Sequence, residues 1–199
     1  MKDMISMHQS LTDADDSVLI VIDVQQSFLE KMEKEHIQPI INRISWIVQK
    51  AVKLNIPIVA TAEDIPEEGS NIPQVADHFP EGTKEYNKMF HGLAGDPDIL
   101  SAVVATKRKT AVIVGLETDV CVMQSALGLL QNGFRVVVLS DATASPGICH
   151  KAGILRMQNA GVIISTVKST FYEWTRTVDF LKANFPEAWE SEHPEGVYL

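Results

Sequence analysis

The sequence predicts an α/β fold: a three-layer, Rossmann-like domain with a central parallel sheet of strand order 3-2-1-4-5-6 and helices on both faces. Three observations carry that prediction. Short apolar, β-branched runs without helical period recur, among them Val18 to Ile22 and Ala111 to Val114, as strands buried on both faces require. Amphipathic segments separate these runs, so strands alternate with helices. The joints from helix to strand repeat one device in Leu54-Asn55-Ile56-Pro57, Gln131-Asn132-Gly133-Phe134 and Gln158-Asn159-Ala160-Gly161. Asn and Gly tolerate the left-handed backbone that ends a helix.

Residues 1–16 are polar, acidic and aperiodic, and are expected to form a flexible N-terminal arm. The first strand, Val18 to Ile22, ends at Asp23, and Gln25 to Phe28 follow as loop. Ile37, Ile40, Ile41, Ile44, Ile47, Val48, Ala51 and Val52 keep helical spacing, with Pro39 tolerable only if the helix starts close to it. Ile58 to Thr61 is the second strand. Glu63 to Thr83 holds Pro66, Gly69, Pro73, Pro80 and Gly82 without periodicity, a long loop of the kind kept for a binding site. Glu85 to Phe90 is a short strand carrying Lys88, and Asp98 to Lys107 is helical.

The fourth strand, Ala111 to Val114, is followed by the tight turn Gly115 to Thr118 and a helix beginning near Asp119. Val136 to Leu139 is the fifth strand, Pro146 to Ala160 a helix, and Val162 to Ser165 the sixth strand. Phe171 to Asn184 reads as one last helix. The domain proper spans 17–184, and 185–199, with Pro186 and Pro194, is an irregular C-terminal tail. If the sheet reverses direction after the third strand, the first and fourth strands become neighbours at its centre, and ligands of such sheets bind at the carboxyl edge at that reversal. Asp23 and Cys121 are expected to meet there.

Composition narrows the function classes. A chain of 199 residues with 45% apolar content suits one α/β domain with a full core. The formal charge of −9 argues against nucleic acid or an anionic membrane as partner. The one basic cluster, Lys107-Arg108-Lys109, fits a helix C-terminus. Two cysteines, Cys121 and Cys149, are too few for a disulfide framework and lack zinc spacing, which favours a reducing, cytoplasmic setting. The N-terminus has no apolar signal region and no stretch approaches membrane-spanning length.

Cys121 sits at the start of a helix, where the dipole and unpaired N–H groups favour a thiolate. Alone, that placement is equally consistent with a small apolar filler. Asp23 could take the thiol proton so that sulfur attacks an electrophilic carbon. Its negative charge would by itself raise the thiol pKa, so a cation is needed. Lys88, flanked by Tyr86, Met89 and Phe90, is the candidate, although its spacing also suits a solvated lysine on a strand edge.

Three blocks change that balance: Asp23-Val24-Gln25-Gln26-Ser27-Phe28 after an apolar strand, Lys88 before Phe90 and a Gly-containing loop, and Gly115-Leu116-Glu117-Thr118-Asp119-Val120-Cys121-Val122. Together they resemble the signatures of the isochorismatase-like cysteine hydrolases, a superfamily that includes nicotinamidases, N-carbamoylsarcosine amidohydrolase and ureidoacrylate hydrolases. The similarity runs from about Val18 to Thr166. It implies Cys121 as nucleophile, Asp23 as its base and Lys88 as the cation orienting both. It also implies a cis Leu116–Glu117 bond and an oxyanion hole made by the backbone N–H groups of Glu117 and Cys121.

Departures from the family restrict the chemistry. Nicotinamidases carry an Asp-x-His pair after the second strand, whereas this chain has Glu63-Asp64-Ile65-Pro66 and no histidine until His78. No metal and no cofactor are therefore expected, and nicotinamide is disfavoured. Phe28, His91 and Thr118 are the expected substrate-binding residues. Asp141 is expected to cap a turn and Cys149 to pack in its helix. The resulting reading is a hydrolase of small amides or ureides acting through a thioester. Its alternatives are a catalytically idle scaffold, a vinyl-ether hydrolase of isochorismatase type, and a redox thiol protein, which lacks a nearby resolving cysteine. The expected partners are a small-molecule substrate and further copies of the chain; Phe171, Tyr172 and Trp174 suit a subunit contact or the chain's own core.

Overall fold

The structure, a computed structural model, describes residues 10–186 and 193–197. Six parallel strands form one sheet: β1 (Ser17–Ile22), β2 (Ile58–Glu63), β3 (Glu85–Lys88), β4 (Thr110–Leu116), β5 (Arg135–Ala144) and β6 (Ile163–Ser165). Their order is β3-β2-β1-β4-β5-β6, the order expected from the sequence. Every residue of β1 and β4 is buried, which is why these strands read as unbroken apolar runs rather than alternating ones.

Side chains still alternate between two cores. Leu19 and Val21 of β1 join Val112 and Val114 of β4 under α1 (Lys34–Lys53) and α5 (Val167–Thr175). Val18, Ile20 and Ile22 pack with Ala111, Ile113, Ala126 and Leu129 on the opposite face. That face is covered by α2 (Pro97–Ala105), α3 (Met123–Gln131) and α4 (Cys149–Asn159). The repeated joints behave alike: Asn55, Gly133 and Gly161 have φ of 56°, 84° and 98°.

Several elements differ from expectation for identifiable reasons. The segment Phe171 to Asn184 is two helices, α5 and α6 (Val178–Asn184). Arg176 breaks it at φ 62°, and the Thr177 hydroxyl accepts from the Phe180 N–H to start the second. Helix α1 begins at Lys34, so Pro39 lies inside its second turn and offers no N–H to the carbonyl of Glu35. Strand β5 extends through Ala144 and includes Ser140, Asp141 and Ala142. The long loop after β2 contains two single helical turns, Ile65–Glu68 and Pro73–Ala76. Helix α4 starts at Cys149, whose thiol is exposed rather than packed.

Phe171 and Trp174 belong to the chain's own core. Phe171 stacks edge-on against Trp46 and Phe185, and the Trp174 indole donates to the Ser17 hydroxyl at 3.0 Å. Of the expected N-terminal arm, residues 1–9 lie outside the described residues. Before β1, Arg135 donates to the carbonyls of Ser10 and Leu11, and the Glu173 carboxylate accepts from the Thr12 N–H. Of the expected tail, residues 187–192 and 198–199 lie outside the described residues. Arg43 donates to the carbonyl of Glu195, and Val197 is buried. Among the described residues no helix is long and apolar enough to cross a membrane.

Candidate active site

The carboxyl ends of the adjacent strands β3, β2, β1 and β4 bring four side chains together. Asp23 follows β1 at φ 49°, and its main-chain N–H donates to the carbonyl of Thr61 at 3.1 Å. Its side chain is sealed from solvent: Oδ1 accepts from the Thr61 hydroxyl at 2.8 Å, and Oδ2 lies 3.0 Å from Lys88 Nζ. Lys88 is the last residue of β3 and is also fully buried. Its ammonium donates to Glu63 Oε2 at 3.1 Å and to the carbonyl of Phe90 at 2.7 Å, and forms an ion pair with Asp23 Oδ2. A solvated edge lysine is thereby ruled out.

Glu63 ends β2 in register with Lys88. The side chain of Gln25 grips its main chain on both sides, donating to the Glu63 carbonyl at 2.7 Å and accepting from its N–H at 2.8 Å. The carboxylate is thereby placed over the crevice, with 23% of the side chain exposed. Sequence reasoning missed this residue. The signal was available: Glu63 closes the second strand as Asp23 closes the first, at the edge where ligands bind.

Cys121 arrives from β4 through a tight passage. At Gly115, φ is 123°, and an added Cβ would lie 1.9 Å from the carbonyl oxygen of Ile22, so only glycine lets β4 pass β1 here. The Leu116–Glu117 bond is cis. Thr118–Val122 then forms a single π-helical turn leading into α3. Ser145 holds that turn by donating to Asp119 Oδ1 at 2.6 Å and accepting from its N–H. Gly153 of α4 lets the helix press onto the Asp119 main chain, with an added Cβ 2.8 Å from its Cα. The Cys121 thiol, 3% exposed, donates to Glu63 Oε2 at 3.2 Å.

The electrostatics invert one expectation. Burial pushes the Cys121 thiol pKa up, and the anionic Asp23 pushes it further; Lys88 opposes them, while the hydrogen bond to Glu63 and its charge add to the rise. Burial, and then the carboxylates that face it, favour a thiol at rest over the helix-stabilised thiolate that its place in the sequence implies. Burial also raises the Asp23 carboxyl, only partly offset by Lys88 and Thr61, which makes it a ready proton acceptor. For Glu63, burial raises the pKa, but the hydrogen bond from Cys121 and the Lys88 ammonium bring it below its usual range. Burial weakens the Lys88 charge, yet Asp23 and Cys121 outweigh that and raise its pKa. Without substrate, the rate of Cys121 alkylation by iodoacetamide is expected to keep climbing above the ordinary thiol pKa of about 8.5. A plateau below neutrality, followed by peptide mapping, would contradict a protonated resting thiol.

The remaining expected residues occupy the periphery. His91 is 63% exposed, with Nδ1 3.4 Å from Glu63 Oε2. It lines a cavity of about 520 Å³ together with Met89, Phe90 and Gln124. Thr118 is buried, its hydroxyl 2.9 Å from His150 Nδ1. The Glu117 carboxylate pairs with Lys31 at 3.3 Å, and Lys31 lies over the ring of Phe28, itself a core residue. Asp141 accepts from the Val167 N–H at 2.9 Å and so caps α5. His78 contacts Gln49 of α1. Glu63, His91 and Cys121 present ligand atoms within 4.8 Å of one another, the geometry of a metal-binding group. The Lys88 ammonium already stands 3.1 Å from that carboxylate as a resident cation.

Comparison with known proteins agrees with this architecture. An isochorismatase domain model matches residues 17–169. The secreted isochorismatase effector Isc1 of Phytophthora sojae is 30% identical over 161 residues, covering 79% of this chain and 76% of that protein. Among solved structures, the MAR1 ribonuclease of Caenorhabditis elegans superposes with a TM-score of 0.83 at 24% identity, covering 96% of this chain and 97% of that one. The YcaC gene product of Escherichia coli, described as an octameric hydrolase of unknown specificity, superposes with a TM-score of 0.78 at 22% identity, covering 89% and 92%. The architecture is a hydrolase fold with its crevice at the switch point of a parallel sheet. The chain belongs to the isochorismatase-like superfamily.

Proposed function

We propose that this protein is a cysteine hydrolase of small amides or ureides, cleaving a non-peptide C–N bond through a thioester on Cys121. The observation that carries this reading is the Lys88 ammonium: fully buried, 3.0 Å from Asp23 and 3.1 Å from Glu63, beside the Cys121 sulfur. Burying three ionisable groups without function is costly, and a packed apolar cluster would serve a scaffold as well or better.

Asp23 takes the thiol proton as sulfur attacks the substrate carbon, and Lys88 offsets the charge left on sulfur. The backbone N–H groups of Glu117 and Cys121 are the proposed donors to the developing oxyanion. Asp23 returns its proton to the leaving amine, and water then cleaves the thioester. This sequence uses the chain's own side chains and calls on no metal or cofactor. Substrate reaches the sulfur past His91, the exposed residue beside Glu63. Free cysteines fit a cytoplasmic location, although one relative is named a secreted effector. A homo-oligomer is proposed from the octameric relative and from Met89 and Phe90, which are 63% and 53% exposed beside the site.

The test is ammonia release across a panel of small primary amides and ureides, with mass spectrometry of Cys121 during turnover. Ammonia together with a transient acyl adduct on Cys121 is the expected result. Absence of both across the panel, or turnover of a vinyl ether without any adduct, overturns the proposal.

A further inference from the structure

We infer that Glu63 is the general base of thioester hydrolysis, so that the two halves of the reaction use different carboxylates. The inference rests on the cysteine-hydrolase reading above and adds a residue to it. Asp23 is poorly placed for the second half. It has no exposed surface in the resting site, with Oδ1 accepting from the Thr61 hydroxyl at 2.8 Å and Oδ2 facing the Lys88 ammonium at 3.0 Å, so it is the more deeply enclosed of the two carboxylates. Glu63, on the same ammonium, is 23% exposed, and the exposed His91 ring lies 3.4 Å from its carboxylate.

The resting contacts of Glu63 also change at the right moment. Its Oε2 atom receives three donors or partners: Lys88 Nζ at 3.1 Å, Cys121 Sγ at 3.2 Å and His91 Nδ1 at 3.4 Å. While the thiol proton points at it, this carboxylate is stabilised as an anion and is a weak base. Acylation replaces the S–H with S–C, and one donor disappears. Proton affinity at Oε2 then rises, and space for an acceptor contact opens beside the atom that carries the acyl group.

The step balances. A water molecule gives one proton to Glu63 Oε2 as its oxygen bonds to the thioester carbon, and the carbonyl electron pair moves to oxygen. The tetrahedral intermediate collapses, the C–S bond breaks, and a carboxylic acid leaves. The Cys121 sulfur takes the proton back from Glu63. The product of this step is a Cys121 thiol donating to Glu63 Oε2, which is the contact present in the resting site. The titratable groups that face Glu63 are Asp23, Lys88, Cys121 and His91; of these only His91 is exposed.

p-Nitrophenyl acetate tests the inference on the full chain, because nitrophenolate release reads acylation and steady turnover reads deacylation. Glu63→Gln is expected to keep a burst of about one nitrophenolate per chain while steady turnover falls about 10²–10³-fold, the usual worth of a general base. Acetylated Cys121 should accumulate by intact mass. Hydroxylamine, which attacks thioesters without a base, should restore turnover. Loss of burst and turnover in equal measure, or no change in either, overturns the inference. Wild-type protein that is never acetylated on Cys121 overturns the underlying thioester reading instead. Gln25 holds the main chain of residue 63 independently of its carboxylate, and Glu63→Asp carries the same comparison should Glu63→Gln be recovered unfolded.

Discussion

Cys121→Ala is expected to lower p-nitrophenyl acetate turnover by about 10⁴-fold or more, the scale on which a nucleophile contributes when the rest of its site is intact. The effect on the fold should be small. Alanine removes one buried sulfur, 3% exposed, and leaves Lys88 in contact with both carboxylates and with the Phe90 carbonyl. The cavity left by one sulfur costs on the order of 1 kcal/mol. Partly offsetting this, a polar group that two carboxylates disfavour as a charge is gone. Steady-state kinetics and urea unfolding on the same preparation check both halves. Turnover within about a hundredfold of wild type would mean that sulfur forms no bond to the substrate.

Lys88→Met is expected to be the most destabilising single substitution in the site. It keeps the volume of the buried chain but leaves Asp23, fully buried, and Glu63 without their shared cation. Breaking a buried pair by removing one partner costs about 3–5 kcal/mol, because the abandoned charge stays in a low-dielectric environment. The sign of the pH dependence follows from Asp23. Burial raises its carboxyl above the unfolded range, and Lys88 is the main force opposing that rise. Without Lys88 the folded pKa climbs further, so Asp23 favours the fold below the unfolded carboxyl pKa and loses that contribution as pH rises through the folded one. The stability deficit relative to wild type should therefore be larger at pH ~8 than at pH ~5 in urea titrations. A deficit below about 1 kcal/mol at the higher pH would place the ammonium in an environment like a surface pair. Activity should be lost in parallel, since Asp23 would then hold its proton at rest and could not take that of Cys121.

Much of the fold was legible because burial on both faces writes itself into composition. Strands β1 and β4 are fully buried and appear as apolar runs that no helix would carry. The joints at Asn55, Gly133 and Gly161 were legible because few residues accept their backbone angles. The break at Arg176 was not, since a positive φ on arginine leaves no mark in an amphipathic pattern. The exposure of Cys149 escaped, and the choice between core and subunit contact for Phe171 stayed open, for a related reason. Both depend on which neighbours cover the helix, and periodicity records only that one side differs from another.

The sequence alone determined where the strands and turns fall and so the chain positions of Asp23, Lys88 and Cys121, because strand ends and turn residues are local properties of the chain. Tertiary structure alone decided that Glu63 joins them, that Lys88 is a buried shared cation and that burial and the facing carboxylates push the sulfur toward its protonated form. Each of these is a sum over charges and solvent exclusion supplied by four strands at once, and proton affinity follows from that sum rather than from the neighbours of a residue in sequence.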